Sequence, residues 1–459
     1  MGIGDQPAHP LGCGRRGAGL LQQIQPVAQG TGHSHHLPAL IVVIHPAVVK
    51  RLFLWYNEDM NTLLLILGGI SALYGIWFAL IALLGAFRPL PARKHFAPQK
   101  RFAVLIPARN EAGVVGFLIK SLLRQAYPAS LFQVIVIPNH CTDDTAQAAR
   151  AAGARVLECA EPTHCKGDVL RFAFRALASE NFDGYCILDA DNLAASGFLS
   201  AANDALCQGM EIAQGYRDSK NPSDSWVAGD TSLFFWMMSR FYNRARSALG
   251  MSAALNGTGI VLSRGLVERM GWNTCSLTED LEFSAQCALN GVKIGFLPDA
   301  VIYDEQPVGL KDSMVQRRRW FSGTIQCFRH YGLSLLRTGS LQAMDMLAVF
   351  SGCVVQALGL ISGLLTAVQL IWGLWGGTLQ VQSLLLSGAG MALMAYLACA
   401  LFAWILCLLE KKGGRRKWSA ILMFPLFLVT WLPANVWALF TPPPAWKPIA
   451  HVRATDRPE

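Results

Sequence analysis

The sequence predicts an α/β domain with a mostly parallel, Rossmann-like sheet, combined with transmembrane α-helices, and three observations carry that reading. Of 459 residues, 53% are hydrophobic and only 15% charged, with mean hydropathy +0.33, which is too apolar for a chain wholly solvated by water. One long uncharged stretch precedes the middle of the chain and three more close it. Between them, short apolar runs alternate with segments of helical periodicity. A chain of this length exceeds one ordinary core, so a globular domain plus further segments is expected.

Residues 1–59 are rich in Gly, Pro, His and Gln and lack periodic pattern apart from an apolar run from Leu37 to Val49, broken by Pro46. They read as a poorly ordered extension without a classical signal peptide, and Met60 reads as an alternative start. His33, His35 and His36 are near enough for a metal tract, but their surroundings favour disorder. From Leu63 to Phe87 no charged residue occurs. A helix of that length covers roughly 37 Å at about 1.5 Å per residue, enough to cross a hydrocarbon core with tilt. A first transmembrane helix is therefore expected at 60–88. Arg88, Arg93 and Lys94 follow it, which places that end in the cytosol by the positive-inside bias.

The α/β domain is expected over 99–331, followed by an interfacial segment at 332–345 and transmembrane helices at 346–376, 383–409 and 418–440, with a tail at 441–459. Lys411, Lys412, Arg415, Arg416 and Lys417 join the last two helices on the cytosolic side, consistent with the first assignment. The whole reads as a multi-pass protein of the inner (cytoplasmic) membrane with a cytosolic domain. Pro425 and Pro433 leave a re-entrant course open for the last helix.

The formal charge of +9 and pI near 9.0 suit an anionic partner, yet the basic residues sit in the loop just named and in the triplet Arg317, Arg318, Arg319. No long basic arm suited to nucleic acid is present. The 12 cysteines are scattered without a CxxC pair, several within apolar runs (Cys353, Cys399, Cys407), which argues against a disulfide framework or a zinc site.

Within the domain, the runs AVLIP, QVIVIP, RVLEC and YCILD read as buried strands, with helices beginning near Gly113, Thr142 and Lys166. Repeated strand–helix–strand units build a parallel sheet, and such sheets bind ligands beyond their carboxyl strand ends. Polar motifs fall there. Pro107, Asn110 and Glu111 follow the first strand, and Asn139 to Thr145 the second, where Asp143 and Asp144 suit helix capping. The fourth ends in Asp189-Ala-Asp191-Asn192. Two carboxylates closing an apolar strand suit Mg²⁺ or Mn²⁺ shared with phosphate oxygens, or a solvated turn. Glu279 and Asp280 precede a helix-like run, so that one caps it while the other faces the cleft as a general base. Gln316-Arg-Arg-Arg319-Trp320 adjoins the second membrane stretch. It reads either as an interfacial anchor or as a site in which Arg319 stabilises a departing diphosphate and Trp320 packs on a sugar.

Taken in order, IPARNE, TDDT, DAD, TED and QRRRW resemble the motif series of membrane-bound family-2 glycosyltransferases of the cellulose synthase and hyaluronan synthase type. CTDDT, DADN, GYRDSKNPSDSW, LNGTG and LTEDLEF look closest to the exopolysaccharide-synthesis branch, over about Arg101 to Trp320. The resemblance implies a GT-A catalytic domain. It implies that Pro107, Asn110 and Glu111 line the nucleotide pocket, that Lys166 lies near the donor phosphates, and that Asp189 contacts the donor and Asp191 the metal. It further implies Asp280 as base beside Glu279, with Gln316, Arg319 and Trp320 closing the site and Gly257, Thr258 and Gly259 near the acceptor. Where the family usually reads the nucleobase with an aspartate, this chain has Asn139, which can still hydrogen-bond a uracil edge.

The expected function is inverting transfer from a UDP-sugar to a growing extracellular polysaccharide at the membrane. The expected partners are the nucleotide-sugar donor, a saccharide or lipid-linked acceptor, the bilayer and other exopolysaccharide-assembly proteins. Single-sugar transfer to a lipid is the in-class alternative, and a non-catalytic membrane scaffold the alternative from another class.

Overall fold

Apolar runs fix the centre of the sheet. In the computed structural model, which describes residues 46–375, 379–412 and 417–441, strands β1 (Phe102–Ala108) and β2 (Phe132–Pro138) pair in parallel, from Phe102 opposite Phe132 to Ala108 opposite Pro138. Both are covered on their two faces, which is why FAVLIPA and FQVIVIP are continuously apolar rather than alternating. Phe102, Val104 and Ile106 pack toward α2 (Val115–Leu123) and α5 (Phe198–Cys207), whereas Ala103 and Leu105 pack toward α4 (Lys166–Ala176), α8 (Arg264–Met270) and α9 (Glu279–Leu289). Successive side chains of one strand thus supply two core layers.

The remaining strands are β3 (Arg155–Val156), β4 (Gly184–Ile187), β5 (Leu193–Ala194), β6 (Ile212–Ser219), β7 (Ile260–Ser263) and β8 (Ile294–Asp304). Sheet order is β3-β2-β1-β4-β7-β6-β8-β5. The first four of these are parallel to their neighbours, but β7 runs against both β4 and β6, and β5 against β8. β6 and β8 are again parallel, with a register shift between Gly215 and Tyr216. The expected mostly parallel α/β sheet is therefore present, with β7 as an inserted reversal. RVLEC contributes only a two-residue strand, and α3 (Thr145–Ala151) precedes it.

Among the described residues, four helical segments are long and apolar enough to cross a membrane: residues 59–85 within α1 (Pro46–Gly85), α11 (Leu341–Trp375), α12 (Val381–Leu409), and the stretch 418–440. The last, expected as one helix, is two: α13 (Lys417–Val429) and α14 (Trp431–Phe440), meeting at Thr430. At about 1.5 Å per residue these pieces cover ~20 and ~15 Å, each short of a bilayer core of about 30 Å. The interval 332–345 is occupied by the end of α10 (Leu310–Thr338), a single 29-residue helix, and the beginning of α11. The residues of the expected extension up to 45, its histidines, Arg415, Arg416 and the tail from 442 lie outside the described residues.

The helices dock on the domain through its own apolar helix α6 (Trp226–Met237). Leu233 and Trp236 pack with Ala403 and Leu406 of α12 and with Ala420, Phe424 and Phe427 of α13. A turn of π-helix, Met238–Arg244, and α7 (Ala245–Ala248) follow α6. Arg246 of α7, fully buried, is bonded through Nε and Nη2 to Asp345 of α11 at 2.7 and 3.0 Å, and Trp77 of α1 donates to the same carboxylate at 3.0 Å. Just after α12, Glu410 accepts from Tyr216 at 2.6 Å and from Arg240 at 2.9 Å, and Lys412 pairs with Asp218.

Candidate active site

The carboxyl ends of β1, β2 and β4, the start of α9 and one face of α10 enclose a cavity of about 930 Å³. Pro107, Glu111, Asn139, Lys166, Asp189, Asp191, Gly257, Glu279, Asp280, Gln316, Arg319 and Trp320 all line it. Residues drawn from five separated motifs thus share one space.

Asn110, Thr258 and Gly259 do not line it. Asn110 is exposed, with φ of 60°, and its Oδ1 accepts from Thr142 N at 2.8 Å, so it bridges the loops after β1 and β2. The same brace includes Asp143, which accepts from Ala112 N at 3.1 Å and from Thr145 N at 3.1 Å. Slight burial raises the Asp143 carboxyl, but the bonds from Thr145 and Ala112 outweigh this and hold it below its usual range. Asp144 occupies the cap position of α3 without a side-chain cap bond. Thr258 is fully buried behind the wall, where it donates to Asn192 Oδ1 and accepts from Asp189 N at 3.1 Å. Gly259 faces Ile302. Of the LNGTG motif only Asn256 and Gly257 reach the cavity, and the φ of 82° at Gly257 is one that a residue with Cβ rarely adopts.

Lys166, the first residue of α4, would ordinarily be misplaced at the positive end of a helix dipole. Here its ammonium donates to Asp189 Oδ1 at 2.6 Å and Gly257 O at 2.7 Å, with Glu279 Oε1 at 3.3 Å. Burial would lower its pKa, but Asp189 and then Glu279 reverse this and hold it above the ordinary lysine value. Asn139 donates to Thr163 Oγ1 and so orients its amide at the cavity wall.

The cap of α9 is Thr278, without a side-chain cap bond, so neither Glu279 nor Asp280 takes the capping role expected of one of them. Both occupy the first turn, where the helix dipole favours the anions. Asp280 Oδ1 accepts from its neighbour Leu281 N at 2.8 Å. Burial and then the adjacent Glu279 push the Asp280 carboxyl up to about 7, against the opposing pull of that bond, Lys166 and Arg217. A group that must be ionised to act loses activity as pH falls through its pKa. The acid limb of kcat/KM is therefore expected near pH 7 rather than near 4, and in Lys166→Met, which removes a cation that favours the anion, it moves to higher pH. A pH–rate series on both proteins checks this, and a limb near 4 in either contradicts it.

Gln316, Arg319 and Trp320 share a face of α10 by their three- and four-residue spacing. Gly323 lets that helix approach α9: a Cβ there would meet Thr278 Oγ1 at 2.4 Å. Gln316 Oε1 and Arg319 Nε are buried with no hydrogen-bond partner among the described residues, which leaves them for a ligand. Trp320 stacks on Phe234, with ring centroids 6.1 Å apart, and meets Trp431 at 6.2 Å. The basic triplet separates. Arg317 is buried over Phe427 and donates to Thr430, and Arg318 lies over Trp437 and donates to Thr441, so only Arg319 reaches the cavity.

Sequence reasoning missed Arg217 and Asp304. Arg217 donates to Asp304 and to Asn256 O at 2.8 Å, and its guanidinium lies 3.8 Å from the centroid of the Phe235 ring at the cavity wall. Asp304 also accepts from Asn192 at 2.7 Å, which ties β8 to the Asp-Ala-Asp-Asn turn. The signal was available: IYDEQ is an apolar strand ending in acids, the same pattern as CILDAD.

The acids fit a hard cation of limited demand. No group of three or more metal-ligating side chains occurs among the described residues. Mg²⁺ or Mn²⁺ with a nucleotide needs only one or two carboxylates, the remaining ligands being phosphate oxygens and water. Asp191, 8% exposed at the wall, accepts from Asn192 at 3.1 Å through one oxygen, and Asp189 stands two residues away.

Comparison with known proteins gives a family match for the domain and a fold. The family model described as glycosyltransferase like family 2 matches residues 98–323. The chain is 25% identical to a probable glycosyltransferase of Bacillus subtilis, YdaM, over 248 residues, 50% of this chain and 57% of that one. It is 26% identical to a beta-monoglucosyldiacylglycerol synthase of Nostoc over 325 residues, 67% of this chain and 65% of the relative. The chain thus spans between about half and two-thirds of the length of these curated relatives. Among solved structures, a mannosyltransferase from Pyrobaculum calidifontis in complex with GDP-Man and Mn²⁺ superposes with a TM-score of 0.57 at 19% identity, covering 82% of this chain and 99% of that one. The fold is therefore GT-A.

Proposed function

From the premise that residues 98–323 are a glycosyltransferase family 2 domain, we propose that this chain transfers a single sugar, with inversion, from a nucleotide diphosphate donor to a lipid alcohol at the membrane. The observation that carries the acceptor class is the reach of the cavity. Beyond the carboxylates its wall continues through Tyr74 of α1 and Val349, Gly352, Cys353 and Gln356 of α11. Among the described residues its lining on α11 ends at Gln356, while that helix runs on to Trp375, a further ~28 Å at about 1.5 Å per residue. A pocket whose lining stops partway along a membrane helix suits an acceptor arriving from the bilayer better than a polymer leaving through it. The Nostoc relative, by its name, makes a glucosyl-diacylglycerol, which agrees. The exopolysaccharide branch suggested by motif order, with its assembly partners, is the less supported reading.

In this reading Asp280 takes the proton from the acceptor hydroxyl as its oxygen bonds to the anomeric carbon, and the bond from that carbon to the diphosphate breaks with its electron pair. Arg319 and Lys166 carry the charge that develops on the leaving diphosphate, and Trp320 bounds the sugar. Asn139, Pro107 and Glu111 bound the base, which we take to be uracil. Asp191, with Asp189 beside it, would hold a Mg²⁺ or Mn²⁺, which would supply neutralisation of the diphosphate charge. The domain lies on the cytosolic side, where nucleotide sugars are, and the membrane is the inner one.

Membranes carrying the protein, incubated with a panel of labelled nucleotide sugars, are expected to yield label in an organic-extractable, one-sugar lipid. A long water-soluble polymer as sole product would overturn the reading. Asp191→Ala is expected to cost roughly 100-fold in turnover, the scale of losing one preorganised electrostatic contact. Donor binding in that variant should no longer respond to Mg²⁺ or Mn²⁺, as titration calorimetry with and without metal would record.

A further inference from the structure

Two amides meet between helices at the apolar end of the cavity. Asn435 of α14 is 3% exposed and donates through Nδ2 to Gln356 Oε1 at 2.6 Å, while its own Oδ1 is buried without a partner among the described residues. Gln356 lines the cavity. Its oxygen already accepts from Asn435, and as the residue is exposed the two N–H donors of its amide remain to be offered there. Amides are costly in hydrocarbon and mark function when they face a cavity.

Their depth follows from the fixing of α14. Consecutive residues of α10 hold its two ends, Arg317 at Thr430 (2.9 Å) and Arg318 at Thr441 (2.8 Å). Both bonds tie α14 to α10, and at ~15 Å α14 is too short to cross a bilayer core alone. On α11, Phe350 still packs with Tyr242 and Ala254 of the catalytic domain, and Gln356 is six residues further on, ~9 Å at about 1.5 Å per residue. The remainder of α11 to Trp375 is ~28 Å, about the thickness of one bilayer core, and taking it as the crossing sets Gln356 where headgroup meets acyl chain and the ester carbonyls of a glycerolipid reside.

Charge narrows the ligand. Carboxylates along the cavity outnumber its arginine and lysine side chains two to one, and Arg217 is already paired with Asp304. A donor diphosphate neutralised by one divalent ion leaves that field negative, and it repels a phosphate-bearing lipid.

Resting on the lipid-acceptor reading above, we propose that Gln356, positioned by Asn435, is the specificity-determining contact for the acceptor. Its amide N–H donates to an ester carbonyl of an uncharged glycerolipid whose free hydroxyl faces Asp280.

The test uses the full-length protein in mixed micelles holding either a 1,2-diacylglycerol or the matching 1,2-dialkylglycerol, which has ether links and no carbonyl. The wild type is expected to show an acceptor KM about fivefold lower for the ester, the scale of one net hydrogen bond. Gln356→Met, which keeps length and removes the amide, and Asn435→Leu are each expected to raise the ester KM to the ether value, with kcat and donor KM held. An ester preference that persists in both variants, or is absent from the wild type, overturns the subsite and leaves lipid transfer standing. Faster use of a polyprenyl phosphate than of either glycerolipid overturns the uncharged-lipid assignment. Failure to glycosylate any lipid while a soluble saccharide is extended overturns the lipid-acceptor reading itself.

Discussion

Asp280→Asn is expected to lower turnover on the order of a thousandfold, within the span of roughly 10²–10⁴ attributed to one positioned general base. The amide keeps the shape and the acceptor for Leu281 N but cannot take a proton. Donor affinity should change little, because the groups assigned to the nucleotide and diphosphate (Asn139, Lys166, Asp191, Arg319) are untouched. Removing one of two adjacent anions also relieves Glu279, so a folding defect is not expected. Transfer assays paired with calorimetric donor titration separate the roles. Unchanged turnover discards Asp280 as base, and lost donor affinity with normal turnover at saturation reassigns it to binding.

The second large effect is on assembly. Asp345→Leu strands the guanidinium of Arg246, which is fully buried between the stacked ring of Tyr242, 3.6 Å from its centroid, and the helices α1 and α11. Removing one partner of a buried pair costs about 3–5 kcal/mol, because the survivor is left desolvated. Trp77 loses its acceptor in the same step. A drop of ~10 °C in the melting temperature of the detergent-solubilised protein is expected, at about 2–4 °C per kcal/mol for a domain of this size. Arg246→Met with Asp345→Leu should recover most of it, since no unpaired charge remains. A single variant that melts like the wild type would show the pair to be solvated.

What could be read from the letters follows from which interactions are local. β1 and β2 announce themselves because both faces are buried, and the polar motifs after them stand where each apolar run stops. Thr258 and Asn110 were misplaced for one reason. A small polar residue serves a cavity or braces a loop according to partners 32 to 69 positions away, Asn110 with Thr142 and Thr258 with Asp189, and no spacing rule encodes those. β7 was not legible as a reversal, since IVLS carries no mark of direction. Nor do three consecutive arginines reveal which will reach the cavity. Their separation by 100° steps around α10 decides it, and only the positions of α13 and α14 say which step faces where. Pro425 and Pro433 did signal a broken last helix, although the interruption falls at Thr430 between them.

Tyr74, Val349, Gly352 and Cys353 give the cavity a greasy far wall drawn from the helices themselves. On the proposal that the acceptor is a membrane lipid, an enzyme built this way counts its acceptor per unit of surrounding amphiphile, not per litre. Adding more detergent or inert phospholipid thins the substrate in two dimensions and slows turnover although nothing in solution has changed. The cell can throttle such a catalyst without touching it, by altering what else shares the leaflet.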